Sequence, residues 1–305
     1  MEQSAVLSQL TGALLSAQNP DGGWGYYRGK ASRVEPTCWA ILTLLQVARS
    51  STAWDPDASF RLLEQWQGNR GLLAEQVGQP SNLAFNGLAA LAVLHGERGV
   101  TAQRARLAKI RGALLQGILS VAGVRFLNAR NRRPYDTLQG WPWTDQTFSW
   151  VEPTSMCLLA LKKARPMTDE ASAVARIDEA ERLLFDRRCR DGGWNFGTPE
   201  VLGALLFSYV PTTALALLAL QDHADHPVVV RGAEFLIGQA TREISGMALG
   251  LAAIALRIYH RPVDDVESKL VQTASTTLSV GNLVNVAMAA LGLAGGERGV
   301  EPFVL

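Results

Sequence analysis

Two glutamates stand in the same short motif and are the first candidates for chemistry in this 305-residue chain. Glu35 and Glu152 each lie in a Val-Glu-Pro-Thr sequence, and an Ala- and Leu-rich segment follows both motifs. A carboxyl group that faces an apolar, aromatic cavity is kept protonated at neutral pH, because burial penalises its charged form. Such a group can donate a proton. The alternative is that both glutamates only satisfy amides at helix N-termini, where acids are stabilised.

Other polar and aromatic side chains accompany the two glutamates. Asp145, in the segment Trp-Pro-Trp-Thr-Asp-Gln, is a third candidate acid, on a loop that we expect near the same helix starts as the two glutamates, although an Asp in this setting is commonly a turn residue. Aromatic rings could stabilise carbocations through cation–π contacts. We expect the following side chains to line the cavity or bind substrate: Tyr26, Tyr27, Trp143, Phe148, Trp150, Tyr209, Asn82 and Asn86.

A repeated sequence pattern positions these residues. Each of three clear copies has a Gly/Trp turn, a short loop and a Pro-Thr pair that opens an Ala/Leu-rich helix. The tryptophans of the turns are Trp24, Trp141 and Trp194. Proline suits the first helical turn because the amide there has no partner within the helix. We expect the three tryptophans to hold the helices together rather than to contact substrate, because an indole buries a large area and its N–H can donate to a helix end.

Three weaker copies, beginning at about Pro80, Ile244 and Val280, complete a set of six Ala/Leu/Gly helices with almost no charge. A helix that is apolar on all sides is normally buried. Six amphipathic helices alternate with them, at about 4–17, 57–69, 102–122, 168–187, 226–239 and 262–277. The pattern predicts an all-α fold, an α/α toroid with six inner and six outer helices, as a single domain over residues 1–305. No strand alternation is strong enough to compete.

The Gly-Gly-Trp turns resemble the QW motif of the squalene–hopene cyclase and prenyltransferase superfamily. Residues 18–24, Gln-Asn-Pro-Asp-Gly-Gly-Trp, match that motif well, whereas the copy at 188–194 has arginine in place of glutamine and the copy at 139–143 matches more loosely. The resemblance covers nearly the whole chain and implies a toroid around a cavity for an apolar, isoprenoid-type substrate. It does not fix the activity, because one fold supports many functions.

Squalene-type cyclases of this superfamily carry an Asp-x-Asp-Asp run followed by Thr at the start of one inner helix, and its middle acid protonates an alkene. This chain has no such run. Aligning the family threonine with Thr154 puts Glu152 at the position of the middle acid. The same alignment gives Glu35 in the first copy and Val210 in the third. The resemblance therefore implies a terpenoid cyclase with a glutamate as its acid. A toroid that binds a lipid, isoprenoid or protein without chemistry is the alternative.

Charge and cysteine content limit the classes of partner. The chain has 29 Lys+Arg, 28 Asp+Glu and three widely spaced cysteines. The even charge balance argues against a nucleic-acid binder, and the three cysteines argue against a disulfide framework and favour the cytoplasm. No Cys/His spacing is typical of a zinc site. We therefore expect no metal and no cofactor.

One basic stretch interrupts the even charge distribution. From Arg98 to Tyr135 there are nine Lys or Arg and no acid. Arg130, Arg132 and Arg133 lie in its long loop and could hold a diphosphate or make a peripheral contact with an anionic membrane. The alternative is a solvated basic face.

Overall fold

The computed structural model describes residues 2–48, 51, 53–74, 79–99, 103–125, 137–165, 171–295 and 299–305. Within these ranges the chain forms twelve α-helices and one short β-hairpin. The helices are α1 (Gln3–Leu15), α2 (Val34–Val47), α3 (Pro56–Trp66), α4 (Leu83–Gly99), α5 (Arg104–Leu119), α6 (Val151–Ala164), α7 (Ala171–Asp186), α8 (Val210–Ala219), α9 (Pro227–Gln239), α10 (Gly246–Ile258), α11 (Asp264–Val280) and α12 (Leu283–Leu293). The antiparallel hairpin pairs β1 (Glu200–Val201) with β2 (Ala204–Leu205).

The even-numbered helices form a closed inner ring. Each packs against the next, from α2 through α4, α6, α8 and α10 to α12, and α12 returns to α2. The odd-numbered helices lie outside this ring. The division follows the sequence, because α8 and α12 are buried on almost every side, whereas the outer helix α11 buries one stripe that includes Val266, Leu270 and Ala274. The predicted α/α toroid with six inner and six outer helices is confirmed.

The three tryptophans of the Gly/Trp turns hold the outer helices to the ring. Each indole is fully buried. Each indole N–H donates to a carbonyl in the last turn of the preceding outer helix, at 2.7–2.8 Å: Trp24 to Leu14, Trp141 to Ile118 and Trp194 to Leu184. Carbonyls in the last turn have no partner within their own helix. The tryptophans thus have the structural role that the sequence predicts.

The same turns fix the start of each following inner helix through a threonine. The backbone amide of each tryptophan donates to a hydroxyl at 2.9–3.0 Å: Trp24 to Thr37, Trp141 to Thr154 and Trp194 to Thr213. The third partner is Thr213 and not Thr212, so the third copy is displaced by one residue from the sequence alignment. Pro211, rather than Val210, therefore corresponds to the two glutamates. The alignment of that copy was wrong by one residue, and the acid is absent in either register.

The β-hairpin at 200–205 was not predicted. Leu202 and Gly203 form its two-residue turn with φ values of 51° and 83°, the left-handed conformation that such turns require. The Leu-Gly pair gives little indication of this turn, because leucine seldom adopts a positive φ. At the base of the hairpin, Ser208 donates its amide and hydroxyl to the two carboxylate oxygens of Asp191, at 2.9 and 2.5 Å.

Residues 299–305 close the end of the ring at which the inner helices finish. Phe303 is fully buried with its ring 6.1 Å from that of Trp39. Lys163 donates to the carbonyl of Val304, and Gln221 donates to that of Phe303 at 2.7 Å. Burial lowers the pKa of Lys163 to about 8.

In the described part of the chain, no helix has both the length and the hydropathy needed to cross a bilayer.

Candidate functional site

The mouth of the toroid lies where the inner helices begin and the Gly/Trp loops meet them. In each loop the second residue after the tryptophan accepts, at 2.8–2.9 Å, the first amide of a neighbouring inner helix: Tyr26 from Leu283, Trp143 from Leu83 and Phe196 from Val151. These amides have no partner within their own helices. The bonds therefore join α12, α4 and α6 to the loops and hold three aromatic residues at the rim.

Glu35 and Glu152 lie in the first turns of α2 and α6, the two helices that flank α4. Both residues are partly buried. The Tyr26 hydroxyl donates to Glu35 Oε2 at 2.6 Å, which orients that carboxylate. Glu152 makes no hydrogen bond and no ion pair with any other residue of the described ranges. The predicted pair of rim glutamates is thus brought together with Tyr26, and one of the two carboxyls is left unpaired.

The environment of Glu152 favours the protonated form of its carboxyl group. Burial, with a smaller contribution from the charge of Glu35, raises the pKa of Glu152 from 4.5 to about 7. A helix N-terminus favours an ionised carboxylate by typically about 0.3–1 kcal/mol. A shift of this size corresponds to about 3 kcal/mol, so burial and the second carboxylate outweigh the helix dipole. A carboxyl group that titrates near neutral pH suits general acid–base catalysis.

Aromatic rings lie next to the glutamates at the rim. Trp150 directly precedes α6 and is half-buried, with its ring 6.0 Å from that of Phe148. Trp143 meets Phe85 edge-to-face at 6.3 Å. Gly197 packs on the indole of Trp150, because a Cβ at position 197 would lie 3.1 Å from that ring. The structure therefore places Trp143 and Trp150 at the mouth, and a contact between them and substrate stays a prediction.

The remaining rim aromatics are more open to solvent. Tyr27, Phe148 and Tyr209 keep 41–49% of their surface exposed. Tyr209 contacts Phe196, with ring centroids 4.9 Å apart. Sequence reasoning missed Phe85 and Phe196. The repeat contained the information for Phe196, which follows its tryptophan at the same spacing as Tyr26 and Trp143.

Asn82 and Asn86 line a cavity of about 200 Å³ beside α4, together with Phe85. Their polar atoms bind backbone groups. Asn82 Oδ1 accepts the Phe85 amide at 3.2 Å, and Asn86 Oδ1 accepts the Leu73 amide at 2.7 Å. Asn86 Nδ2 also donates to the Asn82 carbonyl at 2.8 Å. Both asparagines thus hold the start of α4 in place, and a contact between them and substrate stays a prediction.

The other predicted polar residues pair with side chains other than the two glutamates or lie outside the described ranges. Asp145 is exposed and forms an ion pair with Arg70, at 2.5 Å between Oδ2 and Nη1. It lines a cavity of about 270 Å³ that shares Ala74, Gln79 and Pro80 with the cavity beside α4. In the basic stretch, Arg125 pairs with Glu179 at 2.9 Å. Arg130, Arg132 and Arg133 lie outside the described residues.

One cluster in the described chain has metal-binding residue types. The ligand atoms of Glu181, Asp222 and His223 all lie within 4.8 Å of one another. The Lys162 ammonium, however, lies 2.5 Å from a carboxylate oxygen of both Glu181 and Asp222. Lys162 thus takes the position that a cation would occupy. The cluster is an ion-pair network that joins α6, α7 and the end of α8.

Comparisons with known proteins identify the fold. No protein-family profile and no curated protein matches the sequence. An α-1,6-mannanase of glycoside hydrolase family 76 from Salegentibacter sp. aligns over 98% of this chain and 99% of its own, with a TM-score of 0.68 and 10% identity. A mannanase of that family from Bacteroides thetaiotaomicron covers 96% of both chains, with a TM-score of 0.65 and 9% identity. The type II terpene cyclase MstE from Scytonema covers 90% of this chain and 78% of its own, with a TM-score of 0.58 and 16% identity. The chain therefore shares the α/α toroid fold with glycoside hydrolases and with a terpene cyclase.

Proposed function

We propose that this toroid is an enzyme that uses general acid catalysis, in which Glu152 protonates an apolar, isoprenoid-type substrate. One observation carries the proposal: a carboxyl group with a pKa of about 7, which no side chain of the described ranges pairs with, lies at an aromatic-lined mouth. About half of such groups are protonated at neutral pH, so the donor is available without an added cofactor. The terpene cyclase with this fold supports the choice of substrate class.

The proposed reaction begins with the transfer of the Glu152 proton to one carbon of an alkene. The π electrons of the alkene form the new C–H bond, and the neighbouring carbon becomes a cation. Attack by a second alkene closes a ring, the cyclised cation loses a proton to water, and the Glu152 carboxylate regains a proton from solvent. Trp143 and Trp150 stabilise the cation through their rings, and the Glu35 carboxylate, oriented by Tyr26, adds its negative charge.

Hydrolysis of a glycoside is the second candidate. Most glycoside hydrolases use one protonated and one ionised carboxyl group, and Glu152 and Glu35 form a pair of interacting carboxyls. The two mannanases with this fold support this candidate. We favour the apolar substrate because the described rim is rich in aromatic rings, and because Asn82 Oδ1 and both amide atoms of Asn86 bind backbone groups rather than sugar hydroxyls.

Product analysis separates the candidates. Purified protein is incubated with squalene, farnesyl diphosphate or geranylgeranyl diphosphate, and the organic extract is analysed by gas chromatography and mass spectrometry. Parallel incubations with α-1,6-mannooligosaccharides and a β-1,3-1,4-glucan are analysed for released sugars. We expect a cyclised hydrocarbon, and at least a hundredfold loss of turnover in Glu152→Gln, because general acid catalysis typically contributes about 10²–10⁴-fold.

A matched variant controls for the loss of a carboxylate. Glu234 lies on the exposed face of the outer helix α9, and Glu234→Gln is expected to keep full turnover. Sugar release that depends on Glu152 would replace the cyclase proposal with the glycosidase. Absence of any product, while Glu152→Gln still retains a co-purified apolar ligand, would instead support a binding toroid without chemistry.

A further inference from the structure

An exposed apolar hairpin stands at the rim and has no part in the proposed chemistry. Residues 196–209 contain a single charged side chain, Glu200. Leu202, at the tip, is 99% exposed, and Phe207 is 78% exposed. Three further apolar side chains keep 40–46% of their surface exposed: Val201, Leu205 and Leu206. A contiguous exposed apolar surface of this kind commonly marks an interaction site.

The hairpin is an ordered element rather than a loose loop. Its strands pair through Glu200 with Leu205 and Val201 with Ala204. The Leu206 amide donates to the Pro199 carbonyl at 2.9 Å, which extends this pairing toward the base. The outward backbone groups of a two-stranded hairpin are not paired by the partner strand and still need hydrogen bonds to water. The hairpin therefore suits the hydrated interfacial layer of a bilayer rather than its hydrocarbon core.

The distribution of the side chains indicates what covers them. Directly paired residues share a face and successive residues alternate, so Val201 and Leu205 lie on opposite faces of the hairpin. Both are exposed, as is the tip. A rigid partner, including a second copy of this chain, would cover one face and leave the other in water. A fluid apolar phase covers both faces and the tip together.

Charges at the base of the hairpin agree with this assignment. Arg190 lies beside Asp191, which binds Ser208, and the backbone of Arg231 packs against Gly192. Both arginines are exposed and form no ion pair with other residues in the described part of the chain. If the hairpin enters a bilayer, these two arginines at its base lie at the depth of the headgroups, where they would contact anionic lipids. We propose that the 200–207 hairpin inserts into the interfacial layer of a lipid bilayer.

The hairpin also has a defined position relative to the mouth. Phe196 accepts the Val151 amide, and Gly197 packs on Trp150, so the base of the hairpin lies beside the first turn of α6. A bilayer bound by the hairpin would therefore face the mouth that contains Glu152, and an apolar molecule could pass between them. The lipid contact itself requires no catalytic role for Glu152.

Vesicle cosedimentation tests the contact without any substrate. The full chain is mixed with vesicles of phosphatidylcholine alone or of phosphatidylcholine with phosphatidylglycerol. The test variant combines Leu202→Asp with Phe207→Ser. Asp tolerates a positive φ better than leucine does, and both positions are exposed, so the fold is expected to persist. The circular dichroism and thermal unfolding of this double variant are compared with those of wild type. Val174→Asp, at a 40% exposed position on the outer helix α7, is the matched control.

We expect the wild type and Val174→Asp to bind both vesicles, more tightly when phosphatidylglycerol is present. The hairpin variant should bind at least roughly tenfold more weakly than wild type, because two large apolar side chains no longer leave water on binding. Failure of the wild type to bind either vesicle would overturn the proposal, as would equal binding by the folded hairpin variant. A dimer in analytical ultracentrifugation that the variant abolishes, without vesicle binding, would assign the hairpin to a second copy instead.

Discussion

The raised pKa of Glu152 has a consequence for the stability of the fold. Between about pH 4.5 and pH 7 the folded chain holds a proton at Glu152 that the unfolded chain has released. The free energy of unfolding therefore falls as the pH rises through this window. We expect Glu152→Gln to match wild type near about pH 4 and to be more stable by about 1–3 kcal/mol near about pH 8.

Urea unfolding at several pH values measures this difference. Glu234→Gln, which removes an exposed carboxylate from α9, should give a difference from wild type that stays nearly constant across the same range. A difference between wild type and Glu152→Gln that does not change with pH would show that Glu152 is ionised in the folded chain. The acid proposed for catalysis would then be missing.

Glu35 contributes to the same titration. Its charge is the smaller of the two causes that raise the pKa of Glu152. We expect Glu35→Gln to lower the pKa of Glu152 while leaving it above 4.5, because burial persists. Infrared titration of the protonated carboxyl band, with Glu152→Gln identifying the band, measures the change. An unchanged or higher pKa would mean that the two carboxyls do not interact.

Among the elements, the Gly/Trp turn depends on a buried hydroxyl. Thr154 accepts the Trp141 amide at 3.0 Å, and both residues are fully buried. Thr154→Val keeps the shape but leaves that amide unpaired, which costs about 1–3 kcal/mol of unfolding free energy. Chemical denaturation measures the loss.

Thr11→Val provides the comparison for this substitution. The Thr11 hydroxyl donates at 2.8 Å to the Leu7 carbonyl within α1, on a partly exposed face. Its removal should change the free energy of unfolding by less than about 0.5 kcal/mol. Equal effects of the two substitutions would contradict the role assigned to the threonine of the turn.

The repeat made most of the elements predictable, whereas local backbone detail was not. Charge-free Ala/Leu segments indicate buried inner helices, and the alternation with amphipathic segments indicates two layers. The register of the third copy failed because Thr212 and Thr213 are adjacent, and the sequence does not show which of them accepts the Trp194 amide. The hairpin failed because its turn places Leu202 at a positive φ.

At the scale of the whole molecule, the candidate site depends on how the ring closes. Glu35 and Glu152 are separated by 117 positions, counted from their numbers, and belong to two inner helices with α4 between them. Sequence reasoning could predict that both glutamates begin inner helices at the same end. Their interaction and the size of the Glu152 pKa shift depend on the curvature of the ring and on burial, which the motif does not encode.

The contact between the inner helices α10 and α12 allows a test of whether the ring unfolds as one unit. Gly250 meets α12 so closely that a Cβ would lie 2.2 Å from the Met288 carbonyl oxygen. Gly250→Ala must therefore push two inner helices apart, and a closed ring transmits that displacement to the remaining helices. We expect a loss of about 1–3 kcal/mol from overpacking, even after the helix propensity gained from alanine.

Gly112→Ala separates packing from propensity at this scale. Gly112 lies in the outer helix α5, and a Cβ there meets no atom within 4 Å. This variant should gain up to about 1 kcal/mol in free energy of unfolding, because alanine favours the helix over glycine.

Calorimetry of Gly250→Ala should show one transition at a lower temperature, since a ring opened at one helix contact loses support for every inner helix. Two separate transitions would mean that parts of the toroid unfold independently, and the 1–305 single domain predicted from the sequence would be wrong.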